Sequence, residues 1–134
     1  MSYFQIDWIV DYLKATSTVH TFVEDRIFYW EPMREQTKDY IVINQVSQII
    51  ETTVSKQALI EIRIISWDEN TRKKTLLSIL DSVTNSLVLT PTNATYTLWT
   101  QTVYKIVEAW WFDLLVDDKN RNVLIKDYVF YFLS

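Results

Sequence analysis

The sequence predicts an α+β domain: a mostly antiparallel β-sheet with two main helices packed on one of its faces. Three observations carry this expectation. Residues 58–65 are rich in β-branched residues and alternate, with Ile60, Ile62 and Ile64 toward one side and Glu61 and Arg63 toward the other, which is the period of a half-buried strand. The period then changes, as Leu76, Leu80, Val83 and Leu87 follow at spacings of four, three and four, with Leu77 widening the stripe of an amphipathic helix. Finally, further strand-like runs flank this unit with no internal repeat and no linker, so residues 1–134 read as one domain.

Taken in order, the chain opens with Ile6, Ile9, Val10 and Leu13 at the spacing of one helical face. Thr16-Ser17-Thr18 ends that helix, and Thr18 is placed to cap a short second turn through Phe22 and Val23. Residues 25–30 read as a short strand closed by Pro32, and residues 33–39 as a polar loop. Residues 40–46 form a second strand, expected to pair with residues 58–67. The connection between them, 47–57, lacks Asn-Gly or Asp-Gly, so a long, mobile hairpin tip is expected. Asp68 or Asn70 can cap the central helix, and Thr90-Pro91-Thr92-Asn93 is the clearest break after it. Residues 95–107 then read as one long strand, Asp117-Asp118-Lys119-Asn120 as a turn, and residues 123–133 as the last strand.

Composition narrows the function. Hydrophobic residues at 49% and charged residues at 22% describe a globular chain able to bury a core. Glycine is absent, which excludes a Walker A loop, a dinucleotide fingerprint and a glycine-framed nucleophile elbow. Turns needing positive φ are therefore expected to use Asn or Asp. Cysteine is absent too, which removes disulfides, thiolate zinc sites and thiol catalysis. The first seven residues show no basic region before an apolar run, so no signal peptide is expected. No apolar stretch approaches the roughly 20 residues that span a bilayer, so no membrane partner is expected. A net charge of −4 argues against strong nonspecific attraction to nucleic acid.

No catalytic constellation stands out, and no cofactor or metal is expected. His20 is the single histidine and reads as a structural or surface residue, while Asp117 with Asp118, and Glu24 with Asp25, read as solvated carboxylates. Two stretches are candidates for an interface. Arg72, Lys73 and Lys74 put positive charge in the first turn of the central helix, where the macrodipole favours negative charge. Asp68 and Glu69 can offset that cost, or the patch serves an acidic partner. The adjacent Trp110, Trp111 and Phe112 cannot all hide on one sheet face: either a second subunit covers one face, or a bulge buries both tryptophans. Aromatics at 15% give such an interface material to draw on.

The order of elements resembles the tail-completion or tail-terminator proteins of long-tailed bacteriophages and related elements. Asp25-Arg26-Ile27-Phe28-Tyr29 is similar to the family's small-residue-Arg-Ile-aromatic segment, and Asp39-Tyr40-Ile41-Val42-Ile43 to its Pro-Tyr-hydrophobic strand. The strand–helix unit at 58–89 and two late strands extend the likeness over nearly the full chain. Asp25 and Asp39 stand where family members often carry Gly and Pro. The resemblance implies a non-enzymatic virion protein at the head–tail junction, assembled in the host cytoplasm. It would be a homo-oligomeric ring, usually a hexamer, that caps the tail tube protein and meets the head connector or stopper, with DNA passing through its lumen. The alternatives are another head–tail joining protein, or a non-viral α+β adaptor.

Overall fold

The computed structural model describes residues 4, 6–32, 34–50, 55–67, 72–88, 96–98, 101–109 and 111–133. Its elements run α1 (Asp7–Ala15), α2 (Ser17–Val23), β1 (Ile27–Tyr29), β2 (Tyr40–Ile50), β3 (Ser55–Ser66), α3 (Arg72–Leu87), β4 (Tyr96–Leu98), β5 (Gln101–Glu108), β6 (Asp113–Val116) and β7 (Asn122–Leu133). The strands form one sheet in the order β1-β2-β3-β7-β5-β4, with β6 also on β7. Every pairing is antiparallel except β1 with β2, which is parallel. The fold is α+β, as the sequence predicts.

The sheet is built around β3, which pairs with β7 from Ser55↔Leu133 to Ser66↔Asn122. Ile60, Ile62 and Ile64 are fully buried, in line with Ile41 and Ile43 on β2 and Tyr128, Phe130 and Phe132 on β7. The buried residues of all three helices join the same cluster, so the helices cover one face, which we call the inner face. Phe4 closes one side of the core, with ring centroids 5.3 Å from Phe130 and 5.0 Å from Phe132. Tilted aromatic contacts of this kind add to the stabilisation from burial alone.

Several local expectations are corrected. Leu77 is 40% exposed and does not widen the buried stripe of α3; Ile79, fully buried, does. Thr18 lies inside α2 and caps nothing, because Thr16 occupies the N-cap position and its hydroxyl donates to the Tyr12 carbonyl at 2.8 Å. Most of the stretch 47–57 is strand rather than loop, since the β2–β3 pairing continues to Ile50↔Lys56 past a bulge at Val46. Residues 95–107 are not one strand: β4 turns back on β5, with Leu98 paired to Gln101. Positive φ falls on Asn120, as expected, but also on Glu24 and Trp30. Non-glycine residues there carry strain of roughly 1–2 kcal/mol each. The helix caps at 68–70 and the break at 90–93 lie outside the described residues.

Candidate assembly surface

The surface begins with an interruption in a strand. β5 and β6 both pair with the same edge of β7, β5 ending at Glu108↔Tyr128 and β6 starting at Asp113↔Ile125. Residues 109–112 therefore stand opposite only Lys126 and Asp127, four against two. The Ala109 N–H still donates to the Asp127 carbonyl at 3.0 Å, so the ladder is bent rather than lost. Bulges of this kind re-aim side chains. Phe112 turns inward and packs against the core, whereas Trp111 is 89% exposed. The bulge is thus present, but it does not bury both indoles. Trp110 lies outside the described residues.

Trp111 stands beside an open cleft of about 410 Å³ lined also by Glu108, Ala109 and Lys126. Lys126 Nζ lies 3.2 Å from Glu108 Oε1, with the lysine side chain buried and the glutamate half-exposed. Next to the cleft, every residue of β6 is exposed, including Leu114, Leu115 and Val116. Among the described residues β6 pairs only with β7. An apolar strand with an open hydrogen-bonding edge is a template for another chain.

The outer face of the sheet is divided by polarity. At one end Tyr40, Val42, Ile65 and Val123 form a small second core. Arg121 closes it: its guanidinium donates to Asp117 Oδ2 and to the Tyr40 hydroxyl, both at 2.7 Å, and lies 5.0 Å from the Trp67 ring centroid. Asp117 therefore locks the β6–β7 turn and is not a freely solvated carboxylate, while Asp118 is exposed as expected. Burial pulls the Asp117 pKa up, but hydrogen bonds and charge from Arg121, with the Lys119 N–H, hold it below the usual value.

Across the middle of this face run Glu61, Asp127 and Asp113. Burial and the charges of Glu61 and Asp113 raise the Asp127 pKa, against Lys126 and Arg63. Its buried Oδ1 has no hydrogen-bond partner among the described residues. Beyond these carboxylates lies an apolar groove of about 370 Å³, whose lining includes Leu59, Val107 and Val129, with Glu108 at its side.

Arg72, Lys73 and Lys74 open α3, whose first turn contains no acidic residue. Ser66 pairs with Asn122, so the chain leaves β3 for α3 from the end of the sheet that carries the Asp117–Arg121 turn. Among the described residues that line the cleft at Trp111, none comes from α3. Lys74 is exposed, and Leu77 stands exposed three residues on. The exposure of Leu77 is the feature that sequence reasoning missed. His20 is half-exposed, with Nδ1 3.7 Å from Asp25 Oδ1. Among the described residues no cluster of His, Asp or Glu could hold a metal ion, and no helix is long and apolar enough to cross a membrane.

No protein-family profile matches the sequence, and no curated protein matches it. The fold does have solved counterparts. The chain is similar to one from a structure titled "Virion of native gene transfer agent (GTA) particle", with a TM-score of 0.75 at 12% identity. The match covers 94% of this chain and 92% of that one. At such low identity the likeness establishes a shared fold over most of the chain.

Proposed function

We propose that this chain is a virion structural protein that closes a tail tube as a ring, most simply a hexamer, and presents a surface to the head connector. The observation that carries the reading is the end-to-end fold likeness to a virion chain of a gene transfer agent. It agrees with the layout that resembles tail-terminator proteins. The exposed Trp111 and the open apolar edge of β6 supply what ring assembly needs, a surface stabilised by covering it with another chain. The work of such a protein is geometric: it holds a closed collar around a lumen through which DNA passes, and no bond is made or broken.

Electron microscopy of the purified protein over a concentration series, with and without tail tubes, tests the proposal. Rings with a central hole, or capped tube ends, are expected. Monomers that ignore tail tubes at every concentration would replace this reading with an adaptor outside the tail.

A further inference from the structure

Two irregularities of the backbone each carry a tryptophan that the single chain leaves uncovered. The bulge at 109–112 leaves Trp111 89% exposed. Trp30, just after β1, has a φ of 72° and is 65% exposed. These are the two most exposed large apolar side chains among the described residues. The Trp30 N–H donates to the Ile43 carbonyl at 3.0 Å, so β2 holds the strained residue in place. Backbone strain of this kind persists at ligand clamps.

Trp30 lines a pocket of about 220 Å³ on the outer sheet face, together with Leu115 of β6 and the buried Val42 and Ile65. Two polar groups in the lining select an occupant. Asn44 Oδ1 is buried and has no hydrogen-bond partner among the described residues. Arg63 pairs with Glu61, yet its side chain is 46% exposed. A guanidinium held by a carboxylate still offers its plane to an aromatic ring. An apolar pocket with an aromatic wall, a guanidinium plane and an unpaired acceptor suits a ring that carries an N–H, which is an indole. The chain's own Trp111 does not line it. Trp111 shares its cleft with Glu108 and Lys126, whose partners Tyr128 and Ile62 belong to the inner face.

We propose that copies of this chain associate head to tail, with Trp111 of one copy seated in the outer-face pocket of the next. Its ring packs against Trp30 and Arg63, and its N–H supplies the hydrogen bond that Asn44 lacks. One contact thus covers both exposed indoles. This rests on the ring reading above and names the surfaces that meet. Because plug and socket are different surfaces, the contact is heterologous, the kind that generates rings when its rotation closes.

Two variants of the full chain test this by complementing each other. Trp111→Ala removes the plug, and Trp30→Gly removes the socket wall with a residue that accepts positive φ. Each variant alone is expected to assemble only at concentrations about tenfold or more above wild type. Below those concentrations an equal mixture should give dimers and nothing larger in mass photometry, because each chain keeps one intact end. A mixture that behaves like the separate variants would overturn the contact and leave the ring standing, as would either variant assembling like wild type. Should Trp30→Gly lose its cooperative melt, Asn44→Ala serves as the socket variant with the same outcomes. Wild-type monomers throughout, even on tail tubes, would overturn both.

Discussion

The Tyr128 hydroxyl lies 2.6 Å from Thr84 Oγ1, tying the centre of β7 to α3 across the core. Tyr128 is fully buried, and burial drives its pKa far above the usual value, with Glu108 and Asp81 adding to the shift and the Thr84 bond opposing it. The phenol therefore stays neutral and its hydrogen bond survives at every pH at which the protein is handled. Tyr128→Phe is expected to lower stability by about 1–2 kcal/mol, because it strands a partly buried hydroxyl. The low end applies if Thr84 turns to the carbonyl one helical turn back. Adding Thr84→Val should recover part of the loss in thermal melts, since removing both partners is gentler than removing one.

At the β6–β7 turn, Asp117 and Arg121 make a pH-dependent contribution. The Asp117 carboxyl is held below its ordinary value in the folded chain. A depressed folded pKa stabilises above the unfolded pKa and ceases to do so as pH falls through the folded one. Asp117→Asn is therefore expected to cost about 1 kcal/mol at neutral pH. The gap between variant and wild type should close below about pH 4, near the ordinary aspartate value. Denaturant midpoints measured from neutral to acid pH give the comparison, and a gap independent of pH would disconnect the ion pair from the fold.

Asp127 works with the reverse sign. Its folded pKa is raised, so its ionisation above the unfolded pKa weakens the fold. Asp127→Asn should raise the melting temperature of the unassembled chain at neutral pH. That advantage should shrink as pH falls through the ordinary aspartate range, where the wild-type carboxyl is protonated in both states. A variant no more stable than wild type at neutral pH would show the charge to be compensated within the chain.

The two leucines of α3 separate what the sequence can show from what it cannot. Leu80 is 7% exposed inside the core and Leu77 is 40% exposed outside it. The spacing 76, 80, 83, 87 defines the buried line, and it fixes the helix and its inner face. Which neighbour broadens the line is decided by Ile79, three residues after Leu76 and four before Val83, and that signal was available in the sequence. Leu80→Asp is expected to destroy the cooperative melt, since an unpaired charge in the core costs upwards of about 4 kcal/mol. Leu77→Asp should leave the melt nearly unchanged.

Other features were not legible, for physical reasons. The β4–β5 reversal follows Leu98 without the Asn-Gly or Asp-Gly chemistry that marks a tight turn in sequence. The parallel pairing of β1 with β2 depends on where α1 and α2 deliver the chain, which no local period records. The bulge at 109–112 was half legible: two adjacent tryptophans break a period of two, but only the register of β5 and β6 on β7 shows that four residues oppose two. The basic residues at 72–74 were legible as charge, whereas the carboxylates of Glu61, Asp113 and Asp127 converge only once three strands are paired.

Trp111 gives the most direct separation of assembly from folding. Its side chain is 89% exposed and its neighbour Phe112 carries the inward contact with the core. Trp111→Ala should change stability by no more than about 0.5 kcal/mol, as surface substitutions do. Phe112→Ala removes a half-buried ring and should cost about 1–3 kcal/mol, below the range for a fully buried one. If the bulge exists to present the indole to another chain, Trp111→Ala weakens the oligomer far more than it weakens the fold, as aromatic anchors at interfaces do. Sedimentation velocity on the two variants, set beside their melting temperatures, decides the matter. An oligomer that survives Trp111→Ala unchanged would remove the indole from the interface and leave the edge of β6 to account for assembly.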